Sequence, residues 1–320
     1  MRIITAADIA EVATFRDLLE TLRLAFRRPP IAPLRHHHTI ERPGEEPDST
    51  LLLMPAWTDF AGQDSSKRGY TGVKIVSVVP DNKTRSLPSV VGAYLLLSGQ
   101  SGIPLALLDG QALTLWRTSA ASALASAYLS RTDSKRLLMV GAGALAPYLI
   151  RAHCSVRPIE DVLIWNRSIE RAHSVAAKLS GLGANVSATD DLEGAARGAD
   201  IISCATMTKA PIIKGLWLSA GQHIDLVGAF KPSMREVDTA AVSKSRVFCD
   251  TREGALKEGG DLAIPLSEGT FSPDDLAGDL LDLCKGTRAG RRFYDQITLF
   301  KSVGTAAEDL AVAAHIFARA

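Results

Sequence analysis

The 320-residue sequence predicts an α/β protein in two parts, one a parallel doubly wound sheet and the other an α+β lobe. Three observations carry this. From residue 136 onward, apolar strand-type runs (near 137–141, 161–165, 200–204, 223–227 and 246–249) alternate with helical patterns, the βαβα order that builds a parallel sheet. From about 33 to 109, strands follow one another with only turn residues between them: 51–55, 72–79, 90–97 and 104–108. Between these regions, at 136–150, a strand-type run stops at Gly141 and a helix pattern begins a few residues later.

In chain order, residues 2–4 read as a short strand and Thr5 as a helix N-cap. Phe15, Leu18, Leu19, Leu22 and Phe26 then repeat at helical spacing, and Arg23, Arg27 and Arg28 with Pro29-Pro30 mark the stop. Residues 99–102 read as a hairpin turn. A helix over 113–129 is rich in Ala and Ser, which suits close packing, and carries Arg117, Thr118 and Ser119. The segment 304–320 is an amphipathic helix (Ala307, Leu310, Ala311, Ala314, Ile316) expected to return to the first lobe. The expected domains are therefore 1–116 with 304–320, and 117–303.

The turn Gly141-Ala142-Gly143-Ala144-Leu145-Ala146 spells G-x-G-x-x-A. Gly141 lets the strand turn sharply, Gly143 lets a pyrophosphate approach the backbone, and small Ala146 lets the helix pack on the sheet. Glycines alone also fit an ordinary tight turn. The strand before, the helix after and a second strand at 161–165 make it a Rossmann-type dinucleotide site, with phosphate at the helix N-terminus. At the end of that second strand an NAD site usually carries Asp or Glu for the ribose hydroxyls. Here stand Asn166, Arg167 and Ser168. An arginine offers bidentate, charge-assisted bonds to a 2′-phosphate, so NADPH is expected, with NADH a weaker alternative.

Composition bounds the rest. A net charge of +1 with 22% charged residues leaves no nucleic-acid footprint. Cys154, Cys204, Cys249 and Cys284 form no C-x-x-C pair, which argues against a disulfide framework or zinc site. With no signal-peptide pattern and no run of membrane-span length, a soluble cytoplasmic protein is expected. Lys74 is the only charge in its apolar strand: a strand-edge lysine with its head in water or, facing a cleft, a holder of a carboxylate or a proton. Arg117 lies near the start of an otherwise uncharged helix, where the dipole disfavours a cation, so an anionic partner is expected. Arg35, after Pro33-Leu34, is unremarkable alone. His36-His37-His38 invites a metal reading, but adjacent histidines on a strand alternate faces and no carboxylate or cysteine spacing supports them, so no metal is expected.

Ten phrases, in order, resemble the ornithine cyclodeaminase/mu-crystallin family over essentially the whole chain. They are Pro33-Leu34-Arg35, Leu53-Met54-Pro55-Ala56, Gly72-Val73-Lys74, Ser86-Leu87-Pro88-Ser89-Val90 and Leu113-Thr114-Leu115-Trp116-Arg117-Thr118-Ser119-Ala120. Then come Val140-Gly141-Ala142-Gly143, Trp165-Asn166-Arg167, Val227-Gly228-Ala229-Phe230-Lys231-Pro232, Arg235-Glu236-Val237-Asp238 and Phe300-Lys301-Ser302-Val303-Gly304. The resemblance implies a homodimer formed through the first lobe. It also implies a substrate carboxylate held by Arg35, Lys74 and Arg117, with Met54 and Phe230 in the substrate pocket. Nicotinamide would lie near Val227-Gly228 and Ser302, with Thr118 and Thr206 also in the cofactor site.

One position departs from the family's deaminases, which carry an aspartate where this chain has Phe230. A phenyl ring neither takes a proton nor pairs with an ammonium group. The phrase around it most resembles reductases of Δ1-pyrroline-2-carboxylate and Δ1-piperideine-2-carboxylate, so the expected product is L-proline or L-pipecolate. Two alternatives stand beside this: an NAD-using ornithine or lysine cyclodeaminase, and a non-catalytic NADPH-dependent binding protein of mu-crystallin type.

Overall fold

The computed structural model describes residues 1–44, 47–60, 69–85 and 87–320; Ser86 of the loop phrase lies outside them. The chain divides into two compact units, Met1–Arg117 with Thr305–Ala320, and Thr118–Gly304.

Unit 1 opens with β1 (Arg2–Ile4), then α1 (Ala6–Val12) and α2 (Phe15–Arg27). The single helix expected from Thr5 onward is in fact two. Thr5 caps the first in a capping box with Asp8; the chain then turns extended at Ala13, and Thr14 caps the second by accepting from the Asp17 N–H. The periodic set Phe15, Leu18, Leu19, Leu22 and Phe26 is the buried face of α2. Four strands, β2 (His36–Ile40), β3 (Ser49–Trp57), β4 (Tyr70–Val78) and β5 (Val90–Ser98), lead to β6 (Pro104–Asp109) and α3 (Gly110–Leu129). The sheet order is β1-β6-β5-β4-β3-β2, antiparallel except for β1 on β6. Strand β2 holds the three histidines read as strand residues but was not among the expected strands: it is short, polar and exposed, with no apolar run to mark it.

The last helix, Ala306–Phe317, packs on α2 and on β3, β4 and β5. Alternation therefore buries one side of the strands, including Met54, Val76, Tyr94, Leu96 and Leu108. The opposite side is also apolar yet open, with Ile3 73%, Ile75 41% and Val91 47% exposed.

Unit 2 is an eight-stranded, all-parallel sheet: β7 (Arg136–Val140), β8 (Asp161–Trp165), β9 (Asn185–Thr189), β10 (Ile201–Cys204), β11 (His223–Leu226), β12 (Arg246–Cys249), β13 (Leu276–Asp279) and β14 (Thr298–Lys301). Between them run α4 (Ala146–Val156), α5 (Ile169–Ala177), α6 (Leu192–Gly198), α7 (Thr239–Lys244), α8 (Arg252–Glu258), α9 (Gly260–Ser267) and α10 (Leu280–Lys285); the last helix of unit 1 is α11. The order β13-β12-β14-β11-β10-β7-β8-β9 winds outward both ways from β7 and β10, the Rossmann arrangement. Strands β9, β13 and β14 were missed: the first two are not continuous apolar runs, and the third is only four residues long with Thr298 and Lys301 at its ends.

A buried polar knot ties helices to this sheet. Asp225 of β11 accepts from Ser122 on α3 (2.9 Å) and Ser203 on β10 (2.7 Å), and lies 3.2 Å from His153 Nε2 on α4; all four are fully buried. Burial alone would raise the Asp225 carboxyl, but the bonds from His153 and Ser203 outweigh it and hold the group below its usual value. Removing one member of such a buried set strands the others without partners. Asp225→Ala is expected to cost about 3 kcal/mol in urea unfolding, whereas a surface change such as Glu193→Ala is expected to stay within about 0.5 kcal/mol.

Candidate active site

Lys74 sits mid-strand in β4 with its side chain on the buried side, 2% exposed. Its neighbours across the sheet are Met54 on β3 and Tyr94 on β5. Gly72 makes room there: a Cβ on it would lie 2.1 Å from the Tyr94 hydroxyl. That hydroxyl is fully buried and has no hydrogen-bond partner among the described residues. Of the two readings open for Lys74, a head in water is therefore wrong.

The ammonium group meets Asp309 of α11 at 2.8 Å, and Arg117 meets both Glu308 (2.7 Å) and Asp309 (3.0 Å). Burial first, then the nearby Arg117, push the Lys74 pKa down to about 8, with Asp309 pulling the other way. Half-buried Arg35 is close enough to add to the same downward push. Unit 1 thus brings Arg35, Lys74 and Arg117 together.

Arg117 does have an anionic partner, but it belongs to the chain itself. Sequence reading missed Glu308 and Asp309, two fully buried acids in the first turn of an otherwise apolar helix. Such a pair of charges on a helix that must pack is itself a signal, and the helix N-terminus favours them. Lys74 and Arg117 are thus each held by a carboxylate of the last helix. His36-His37-His38 form exposed β2, and among the described residues no group of three His, Cys, Asp or Glu could hold a metal.

In unit 2 the glycine turn follows β7. Gly141 has φ +113°, and a Cβ there would lie 2.8 Å from the Ala205 carbonyl oxygen, so the position requires glycine. Gly143 differs: it is exposed, its φ is ordinary, and a Cβ would meet nothing within 4 Å. No side chain caps the eleven-residue α4. Among the described residues the N–H groups of Gly143, Ala144 and Leu145 have no acceptor, while Ala142 N–H donates to Asn166 Oδ1 (3.3 Å). Unspent donors at a helix start, beside an open glycine, fit a pyrophosphate.

Asn166 works as a brace: it receives from Ala142 and donates to the Ser168 carbonyl (2.9 Å). Arg167 is exposed at the end of β8, and the Ser168 hydroxyl donates to Glu170 (2.6 Å).

The loops after β10, β11 and β14 are tied by buried carboxylates. Glu236 accepts from Thr206 N (2.6 Å), Thr206 Oγ1 (2.7 Å) and Gly228 N (2.8 Å). Asp261 on α9 accepts from Glu236 N (2.6 Å) and Val237 N (3.2 Å), and pairs with Lys301 of β14 at 2.9 Å. Burial pushes the Glu236 carboxyl up to about 7, with Lys301 opposing. Asp250 accepts from Ser302 Oγ (3.2 Å), Val303 N (2.7 Å) and Gly304 N (2.6 Å). The Thr206 and Ser302 hydroxyls, expected at the cofactor, are thus spent on the fold; Thr118 and Val227 are buried, and Phe230 is half-buried. Sequence reading gave no separate role to Glu236, Asp261, Lys301 or Asp250.

These glycines make opposite predictions. Gly143→Ala is expected to leave the thermal midpoint unchanged and to weaken dinucleotide binding about tenfold or more, because the methyl group occupies the phosphate's path. Gly141→Ala is expected to lower the midpoint itself. Differential scanning fluorimetry with and without nucleotide reads both.

All 320 residues match the model of the ornithine cyclodeaminase/mu-crystallin family. The Δ1-pyrroline-2-carboxylate reductase of Colwellia psychrerythraea is 39% identical over 318 residues, 98% of each chain. Among solved structures, the Δ1-pyrroline-2-carboxylate reductase of Thermococcus litoralis in complex with NADH and L-proline is 32% identical, with a TM-score of 0.91 over 99% of this chain and 97% of that one. An archaeal alanine dehydrogenase dimer with bound NAD is 27% identical, with a TM-score of 0.88 over 99% and 95%. A family model matched from end to end, and relatives at this identity over nearly their full length, leave one conclusion: the chain belongs to the ornithine cyclodeaminase/mu-crystallin family.

Proposed function

We propose that this chain is an NADPH-dependent reductase of cyclic ketimine carboxylates, converting Δ1-pyrroline-2-carboxylate to L-proline and Δ1-piperideine-2-carboxylate to L-pipecolate. The observation that carries the reading is the buried grip of unit 1, Lys74 and Arg117 side by side on Asp309 and Glu308, in a chain whose relatives include named reductases of this class. Unit 1 (1–117 with 305–320) is the substrate and dimerisation part and unit 2 (118–304) the cofactor part.

Arg35, Lys74 and Arg117 hold the substrate carboxylate, which fixes the position of the adjacent C=N carbon; such clamps act by orientation. Asp309 and Glu308 keep Lys74 and Arg117 in place. The chemistry supplied by a bound reduced nicotinamide is hydride donation. A protonated imine is already electrophilic, so little acid catalysis is asked of the protein. Met54 offers apolar surface to the ring methylenes, and Phe230 has no group with which to receive an ammonium, which weighs against deamination. Gly141 to Leu145 cradle the pyrophosphate, and Arg167 takes the 2′-phosphate. The Thermococcus relative was solved with NADH, so the preference for NADPH rests on Arg167 alone.

A homodimer through unit 1 accounts for the open apolar side of its sheet, since exposed surface of that kind marks an interaction site. Four free cysteines and the absence, among the described residues, of any helix long and apolar enough to cross a membrane agree with a cytoplasmic setting.

Loss of NADPH absorbance on adding either imine is the direct test; no loss with both rejects the reading. Lys74→Ala is expected to lower kcat/KM at least about a hundredfold while NADPH still binds, since a charged bond is lost from a desolvated site. Lys74 is charged below its pKa, so kcat/KM of the unaltered enzyme should decline as pH rises through about 8. Arg167→Ala is expected to raise the KM for NADPH about ten- to hundredfold and to leave that for NADH nearly unchanged; an equal change in both would remove Arg167 from cofactor choice.

A further inference from the structure

The parallel sheet of unit 2 ends in a charged cluster that the grip and the phosphate turn do not explain. Glu236, Asp261 and Lys301 are all fully buried. Lys301 pairs with Asp261 and not with Glu236. Above the pH of about 7 at which Glu236 ionises, one cation faces two carboxylates, and the unpaired charge falls on Glu236, whose bonds come from Thr206 and Gly228. Those residues follow β10 and β11, at the carboxyl ends of the strands just past the switch point between β7 and β10. In folds of this topology the ligand lies across those ends. With the pyrophosphate at the turn after β7, the β10–β11 side is left to the nicotinamide half.

The close fit here makes the carboxylate hard to replace. A Cβ on Gly228 would lie 1.9 Å from the Thr206 carbonyl oxygen and 2.5 Å from Glu236 Oε1. A glutamine could satisfy at most part of the set, because its amide nitrogen would face an N–H donor. Burying an ionised group without a direct cation is costly. A staple between two loops could be made from neutral groups, so the charge itself calls for a role.

We propose that Glu236, backed by Asp261 and Lys301, is an electrostatic positioning residue that sets one net negative charge behind the nicotinamide end of the cradle, holding the Thr206 and Gly228 backbone and favouring the oxidised, cationic ring over the reduced, neutral one. Hydride transfer moves two electrons and one proton from the dihydronicotinamide to the imine carbon. The ring gains a positive charge as the iminium loses its own. A fixed anion near the ring stabilises that change in advance of the reaction. The role rests on the reading that unit 2 holds a nicotinamide cofactor.

One unit charge acting over about 10 Å at an effective dielectric of about 20 shifts an equilibrium about tenfold. The test is the ratio of dissociation constants for NADP⁺ and NADPH, read by tryptophan fluorescence at alkaline pH with no substrate present, with the thermal midpoint of the free protein beside it. Glu236→Gln should weaken NADP⁺ about tenfold more than NADPH, and Glu236→Asp, which keeps the charge, should restore most of the ratio. Should E236Q not fold, Asp261→Asn removes the same net charge and should move the ratio the same way. An unchanged ratio overturns the proposal. So does a fall in midpoint with equal weakening of both nucleotides, since that is a structural role only. Wild-type protein that binds NADPH but reduces neither imine sinks the proposed reaction and leaves this ratio to decide the role of Glu236; wild-type protein that binds no nicotinamide nucleotide overturns both.

Discussion

An ammonium group in the middle of a β-sheet core has to be met by an anion, and in unit 1 that obligation falls on residue 309. Lys74 and Asp309 are 235 positions apart, yet they form a 2.8–2.9 Å contact in which neither side chain is more than 3% exposed. Removing Asp309 would leave the buried ammonium group without a carboxylate, which is far more costly than the pair is beneficial. The final helix is thereby bound to the N-terminal part, although the whole of unit 2 intervenes in sequence. Arg117 doubles the tie through Glu308 and Asp309. The same tie sets Lys74 and Arg117 side by side.

Buried acids organise the ends of the unit 2 sheet as well. At the carboxyl ends, Glu236, Asp261 and Asp250 each accept backbone N–H groups from connecting segments. At the opposite end Asp200 does the same for Lys135 N and Arg136 N. A carboxylate accepting several backbone N–H bonds gives loops with little regular structure a fixed shape. Glycine supplies the room and the acids supply the hold: Gly141 and Gly228 allow close approach, and Glu236 keeps the approaching segments together.

What could be read from the sequence was what is encoded locally. The strand–glycine–helix turn at 136–150, the buried face of α2 and the lone charge of β4 each show within a few residues. The break between α1 and α2 hid because Phe15 continues the helical spacing across Ala13-Thr14, although Thr14 with Asp17 three residues on carries a capping signal. Strands β2, β9 and β13 were not listed because an exposed or half-buried strand needs no apolar run, and buried β14 because its two apolar residues are flanked by Thr298 and Lys301. The partners of Lys74 and Arg117 were out of reach for another reason: pairing across almost the entire chain is decided by packing, and spacing carries no trace of it. Glu308 and Asp309 could be noticed as misplaced charges, but not assigned.

Charge also links the two halves of the proposed chemistry. Unit 1 sets Lys74 and Arg117 about its grip, and unit 2 gathers a negative charge about Glu236 once that carboxyl is ionised. On the proposed reading the first suits a substrate carboxylate and the second suits a ring that becomes cationic. A reductase of protonated imines needs both, because positive charge disappears from the substrate nitrogen as it appears on the cofactor. An anion placed beside the imine would instead stabilise the iminium and resist its reduction. Phe230, a ring without charge, is consistent with that logic.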